Sequence, residues 1–324
     1  MKKIYIDKLG DVIPIRKAYG DFLLEVGDDE RVVVIDCDLG HSTNAARFGE
    51  KYPERYIEIG IQEQNMIGIA AGLAAVGKIP FTSSFAVFTT GRPWEQIRLA
   101  IAYGNFNVKL VATHAGIATG EDGASHQICE DIAIMSAIPG MVVLSPSDYY
   151  SAKSVLKAAY KYEGYVYVRL VRPSSPTIYR EEFDYKIGEA VKLKDGYDIS
   201  IITTGLPVHH SLLSAFELEK EGISVAVYDF IGIKPYDEEA IIDAAKAKGG
   251  IIVVEDHVMW GGLGMAVSHF LAKEGISVPI NFINMGDSFG RSGSYKDLYR
   301  YYGFDKEGIK KKVLEVLSET AKVR

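Results

Sequence analysis

Cysteine is scarce: Cys37 and Cys129 are the only two in 324 residues, far apart and outside any CxxC. That excludes a disulfide framework and gives no support to a structural zinc site. No run of lysine and arginine is present, nor a basic stripe interleaved with aromatics, so a nucleic-acid surface is not expected. Long apolar stretches are missing too, since the longest, 66–76, is too short to span a bilayer. The opening MKKIYIDKLG has two lysines with no long apolar region behind them, so no signal peptide is expected. GxSxG is absent, and the spacing of His114 and His126 fits no common zinc pattern, which leaves a serine triad and metal-dependent hydrolysis without support. What is there is ordinary: 36 Lys and Arg against 43 Asp and Glu, a net charge of −7, and 48% hydrophobic residues. This is the composition of a soluble, mildly acidic protein with the cytoplasm as its default compartment, long enough for two domains.

Short β-rich runs recur along the chain, at Val32–Asp36, 56–59, Lys109–Thr113, 141–144, 165–171, Ile199–Thr203, 225–230 and 251–255. Most are continuously apolar, as strands covered on both faces should be. The segments between them, such as 151–162 and 207–221, read as amphipathic helices. Strand and helix in alternation predict an α/β fold of doubly wound sheets. The Pro/Ser-rich and then charged crossing RPSSPTIYREEFDYK, at 172–186, divides the chain into domains at 1–180 and 186–324.

In open α/β sheets the ligand crevice lies beyond the carboxyl ends of the strands. The segments DCDLGHSTN, GIQEQN, THAGIATGEDGASHQ and RLVRPSS follow predicted strands, and they would bring Glu63, His114, Glu121, Asp122, His126, Arg169 and Arg172 to one rim. FTSSFAVFTTGR adds Phe85 and Phe88, three apart, suited to flank a flat heterocycle. Glu63 is the odd residue, because it heads a segment apolar nearly all round, which predicts a buried helix. A carboxylate there either has a partner or keeps a proton. Each feature alone also admits a plainer reading: Glu63 as a helix cap, the phenylalanines as core, Arg172 as a surface ion pair.

Together, EIGIQEQNMIGIAAGLAAVGKIPFTSSFAVF, THAGIATGEDGASHQ, VVLSPSD, VEDHVMWGGLG and GDSFGRSGSY resemble transketolase, in the part that holds its pyrimidine-binding and C-terminal domains. The resemblance covers almost the whole chain. It implies thiamine diphosphate as cofactor, with Glu63 bound to N1′ of the aminopyrimidine, Phe85 and Phe88 walling that ring, and Asp38 near the cofactor. An aromatic residue that some transketolases place three positions after Phe88 is Gly91 here. His126 is implied to bind donor hydroxyls beside the thiazolium, which makes it the second catalytic residue with Glu63. Asp122 is implied to read the hydroxyl stereochemistry, while His114, Arg16, Ser42 and Arg172 line the channel and hold the sugar phosphate. An arginine suits phosphate because its planar fork binds two oxygens at once.

Transketolases also carry a third domain whose GDG and later Asn hold the diphosphate through magnesium, and that signature is not found here; GDS at 286–288 belongs to the GDSFGRSGSY run. The resemblance therefore implies one half of a split enzyme, with the diphosphate and Mg2+ ligands on a separate N-terminal subunit and two copies of each chain in the assembly. Gly68 and Gly72, four apart, would permit close helix approach, at an interface or within the chain. Deoxyxylulose-phosphate synthase shares the EQN and GRSGSY text, but it carries Asp-Arg where Thr113-His114 stands and GAD for GED. The β-subunit of 2-oxo acid dehydrogenases has similar length, yet its glutamate lacks the following Gln-Asn. A non-catalytic module of the same fold would be expected to have lost Glu63, His126 or Asp122. VEDHVMWGGLG reads as a glycine-permitted turn with a structural histidine, in a domain that mainly supports assembly.

Overall fold

Most of the apolar runs become strands buried along their whole length in the computed structural model, which describes residue 4 and residues 8–323, although the strand from the run 56–59 is only partly covered. In chain order the strands are β1 (Val12–Pro14), β2 (Val32–Asp36), β3 (Tyr56–Glu58), β4 (Ile79–Phe85), β5 (Lys109–Thr113), β6 (Val142–Leu144), β7 (Val166–Arg169) and β8 (Ser174–Pro176). They continue with β9 (Val191–Lys194), β10 (Ile199–Thr203), β11 (Val225–Asp229), β12 (Gly232–Lys234), β13 (Ile251–Val254) and β14 (Ile280–Ile283). A seven-stranded sheet has the order β12-β6-β7-β5-β4-β2-β3, a five-stranded sheet β14-β13-β10-β11-β9, and β1 pairs with β8 in a small ribbon. The inner strands of both large sheets run parallel, while β12 and β9 are antiparallel edges. Helices cover both faces, so every residue of β2, β4, β5, β6, β7, β10, β11 and β13 is buried. Two α/β domains result.

Winding reverses between β2 and β4 in the first sheet and between β10 and β13 in the second, and these are the two switch points. The helix after VVLSPSD, Tyr149–Lys161, starts with a capping box of Asp148 and Ser151. Asp148 Oδ2 also accepts the N–H groups of Ile178 and Tyr179 at 2.6 and 2.9 Å, so the helix cap fixes the course of the linker.

Three features depart from the sequence reading. The central strand β4 is hidden in the text IPFTSSF because Pro80 and three hydroxyl residues interrupt its apolar run. β12 comes from the C-terminal half yet closes the edge of the first sheet beside β6, pairing Gly232 with Leu144. The helix Glu63–Ala75 is buried on one side only, through Glu63, Met66, Ile67, Ala70 and Ala71. Gln64, Gly68, Gly72 and Ala75 form a more open stripe on the other. No described atom, beyond the chain neighbours and the helix's own backbone, lies within 4 Å of where a Cβ on Gly68 or Gly72 would stand, so internal packing does not account for these glycines. Among the described residues no helix is long and apolar enough to cross a membrane.

Candidate active site

The crevice lies beyond the carboxyl ends of β2 and β4, with the end of β5 beside it. Asp38 and His114, just past β2 and β5, hold left-handed backbone with φ of +60° and +61°. Non-glycine residues in that region are strained and gather where function fixes geometry.

Glu63 opens the helix Glu63–Ala75 at the crevice and is only 4% exposed. Of a partner or a proton, it has a partner: Arg92 Nη1 donates to Oε1 at 2.7 Å. The same guanidinium stands 4.1 Å from the ring centroid of Phe88, so carboxylate and aromatic wall flank one small space. Phe85 ends β4 and Phe88 sits in the following helix Ala86–Gly91, so their spacing reflects a strand end and a helix start. Their rings stack offset, 6.0 Å apart and 15° from parallel. His114 lies on Phe85 at 3.7 Å, and His126 meets Phe88 edge-on at 5.4 Å.

His114 is buried with Nδ1 2.8 Å from Thr113 Oγ1. Burial pushes its imidazole down to about 3, and Arg16, Arg172 and His126 add repulsion, so the ring is neutral. Arg16 is itself lowered by burial and by Arg172, so the two guanidiniums lie within each other's field. Arg16 Nη1 donates to the main-chain oxygen of Ser42 at 2.7 Å. Arg172 Nη1 donates to Thr119 O at 2.5 Å and stands 3.3 Å from Asp122 Oδ2 and 3.4 Å from Glu121 Oε2. His126 Nδ1 is 3.0 Å from Ser125 Oγ. The fold thus links Glu63, Phe85, Phe88, His114, His126, Arg16, Ser42, Asp122 and Arg172 through short contacts or through their fields. Asp38 stands slightly apart: its N–H donates to Glu58 Oε1 at 3.0 Å, and its neighbour Cys37 touches Met66 of the Glu63 helix at 3.6 Å.

Arg169 is a correction. It is buried away from the rim, with Nε on Asp131 Oδ2 at 2.8 Å and Nη2 on Asp256 O at 3.0 Å. It approaches the switch point of the second sheet, within 3.9 Å of a Cβ built on Gly205 just past β10. The VEDHVMWGGLG segment does turn at Gly261, φ +72°, with His257 buried and its Nδ1 2.8 Å from Val258 O.

Sequence reasoning missed Arg92, although it stands four residues after Phe88 on the same helical row. It also missed the pair Asp36 and Glu58, the last residues of β2 and β3, which lie in register. Asp36 Oδ2 accepts from Leu39 and Gly40 at 3.0 and 2.8 Å, and Glu58 Oε1 accepts from Asp38 and Gly60 at 3.0 and 2.7 Å. The two carboxyls therefore shape the loops that present Asp38, Ser42 and Glu63. Burial, and then Glu58, raise Asp36 to about 7.

Comparisons with known proteins identify the two domains. Residues 11–177 match the family described as "Transketolase, pyrimidine binding domain", and residues 188–309 match "Transketolase, C-terminal domain". A "Putative transketolase C-terminal section" from Methanocaldococcus jannaschii is 48% identical over 308 residues, covering 94% of this chain and 96% of that protein. The "6-deoxy-6-sulfo-D-fructose transketolase subunit SqwH" of Clostridium sp. (strain MSTE9) is 38% identical over 303 residues, covering 93% and 94%. A solved structure described as "Split gene transketolase, inactive beta4 tetramer" superposes with a TM-score of 0.87 at 39% identity, covering 94% of this chain and 99% of that one. With both models matched in order, the chain belongs to the transketolase family and spans its pyrimidine-binding and C-terminal domains, nearly the same extent as the relatives described as a section or a subunit.

Proposed function

We propose that this chain is the C-terminal subunit of a thiamine-diphosphate-dependent transketolase that moves a two-carbon ketol unit from a ketose phosphate to an aldose phosphate. The observation that carries the reading is Glu63, a carboxylate 4% exposed at a helix start, sharing one guanidinium with the aromatic ring of Phe88. An aminopyrimidine needs this set, a buried acceptor for a ring nitrogen beside an aromatic wall, so the residues fit that part of the cofactor. When bound, thiamine diphosphate supplies a carbon nucleophile able to break the C2–C3 bond of a ketose. Glu63 bonds N1′ and holds the proton shared there. Phe85 and Phe88 keep water from the ring, and Asp38 stands at the crevice mouth. His126, with Ser125 beside it, faces the donor hydroxyls together with Asp122. The neutral His114 leaves Arg16 and Arg172 as the cations for a sugar phosphate, with Ser42 beside Arg16. The contacts of Arg172 with Glu121 and Asp122 are long and half-exposed, of the kind a phosphate displaces readily.

The residues here do not fit magnesium. Among those described, no three His, Cys, Asp or Glu stand together as ligands would. The diphosphate and its Mg2+ are assigned to a separate N-terminal subunit, in an assembly with two copies of each chain. The open stripe on the Glu63 helix, with Gln64, Gly68 and Gly72, runs between two exposed apolar residues just beyond the helix ends, Ile61 and Val76, 68% and 75% exposed. It supports a chain contact there, and a chain inactive by itself. Ketol transfer from xylulose 5-phosphate to ribose 5-phosphate, by this chain with its co-purifying subunit and by this chain alone, tests the reading. Turnover only in the complex supports it, and turnover by the chain alone defeats it. A second donor class, ketoses with a sulfonate as their anionic group, is favoured by the relative whose name specifies a 6-deoxy-6-sulfo sugar. Turnover of such a donor, with pentose phosphates left untouched, selects it.

A further inference from the structure

Two motifs of the C-terminal half, VEDHVMWGGLG and GDSFGRSGSY, have no task in the reading above. Both lie against the segment 116–127, which carries Asp122 and His126. That segment has a few bonds of its own, from Gln127 Nε2 to Ile117 O and Gly120 O at 3.3 and 3.2 Å and from Thr119 Oγ1 to Gly116 O at 3.0 Å, and Arg172 of the same domain holds Thr119 O. Its turns Ile117–Ser125 are broken at Gly120 and Gly123, where φ is +83° and +70° and no regular hydrogen-bond ladder can run.

The other domain adds support at the start, middle and end of the segment. Asp256 Oδ1 accepts the Ile117 N–H at 3.0 Å. Ser292 Oγ donates to Glu121 O at 2.6 Å. Gln127 Nε2 donates to Arg291 O at 2.9 Å. Packing is equally close, because a Cβ on Gly116 would fall 2.3 Å from Asp256 Oδ2, and one on Gly290 would fall 2.0 Å from Gln127 Oε1. Asp256 is firmly seated: it is 2% exposed, its Oδ2 takes the Tyr299 hydroxyl at 3.0 Å, and its main-chain oxygen takes Arg169.

We propose that Asp256 and Ser292 are positioning residues, through which the C-terminal domain clamps the segment 116–127 and sets where Asp122 and His126 stand toward the donor sugar. Asp122 directly follows the clamped Glu121, and His126 directly precedes the clamped Gln127. Displacement of such groups by about 1 Å lowers rates on the order of a hundredfold. The part concerning sugar rests on the roles proposed above for Asp122 and His126, whereas the clamp does not.

Hydrogen–deuterium exchange on the full chain reads the clamp without activity. In Ser292→Ala, amides of 116–127 should exchange about tenfold faster, while those of the helix Glu63–Ala75 stay as in the wild type. In the complex with the co-purifying subunit, Ser292→Ala and Asp256→Asn should raise the donor KM several-fold and narrow the discrimination between ketoses epimeric at C3. The acceptor KM and the affinity for thiamine diphosphate should hold. If Asp256→Asn does not fold, Ser292→Ala, which loses one exposed hydroxyl, decides alone. Unchanged exchange in 116–127 overturns the clamp. Faster exchange with unchanged donor KM overturns the positioning role, provided Asp122→Ala does raise that KM. If Asp122→Ala leaves the donor KM unchanged as well, the role assigned to Asp122 is what fails, and the exchange result still decides the clamp.

Discussion

Arg92 and Glu63 form an ion pair at the head of the helix Glu63–Ala75, Nη1 to Oε1 at 2.7 Å, with the guanidinium 4.1 Å from the ring centroid of Phe88. A flat N–H donor, bonded to this carboxylate and stacked on this ring, has the two contacts that an aminopyrimidine would need. The arginine side chain is 48% exposed, so the pair is held loosely enough to exchange partners.

Replacing Glu63 by glutamine keeps the size of the side chain and its acceptor oxygen but removes the proton-holding group. Ketol transfer by the assembled complex should fall by about 10² to 10⁴, the range for losing acid–base help. Light scattering should show an assembly of unchanged mass. Near-normal turnover in that mutant complex would overturn the role of Glu63.

The Arg92–Glu63 pair should also register in stability. Denaturant unfolding of Arg92→Ala, Glu63→Gln and the double variant should give a coupling of about 0.5–1 kcal/mol, kept small by the exposed arginine. A coupling of zero would mean that the contact is not maintained in solution.

Asp36 sets a pH dependence. Burial and the facing Glu58 raise its carboxyl from 3.8 to about 7, so the folded chain holds a proton that the unfolded chain releases. The stability it contributes is complete below about pH 4 and is lost as pH rises through about 7. Asp36→Asn cannot ionise and can keep its oxygen on the N–H groups of Leu39 and Gly40. The melting temperature of the variant relative to wild type should therefore rise steadily between about pH 4 and about pH 7.5. A flat difference across that window would remove Asp36 as the cause.

The open positions on the Glu63 helix separate folding from assembly. Gly72→Leu places a side chain where no described neighbour stands, and it removes a glycine from a helix interior. The chain should gain about 0.5–1 kcal/mol. Its association, with itself or with the co-purifying subunit, should weaken by roughly tenfold or more in sedimentation. Unchanged association would place the contact elsewhere.

The legible parts of this chain were those where one residue type answers to one physical need. Continuous apolar runs marked the covered strands, and glycine-rich polar text marked the loops beyond them. Glu63 stood out because a carboxylate heads an apolar segment. Properties that depend on register or on a neighbour were hidden. Asp36 and Glu58 meet only because β2 and β3 align their ends, which no local pattern states. β4 carries the sheet's centre with hydroxyls, among them Ser83, whose Oγ bonds Thr43 Oγ1 at 2.7 Å, so polarity concealed a buried strand. Arg169 looked like a rim residue by position, yet Asp131 and Asp256 hold it inside, a choice set by two segments distant in sequence. The Glu63 helix was read as buried all round because its composition cannot say whether the cover comes from its own chain.

The crossing of β12 into the first sheet bears on how the molecule is made and inherited. Until residues 232–234 leave the ribosome, β6 has a bare outer edge, and the N-terminal domain waits as an unfinished, adhesive template. A gene cut within the 172–186 linker would leave that edge bare until a separately made C-terminal piece paired with it. Three residues of the C-terminal half thus complete the sheet of the N-terminal domain.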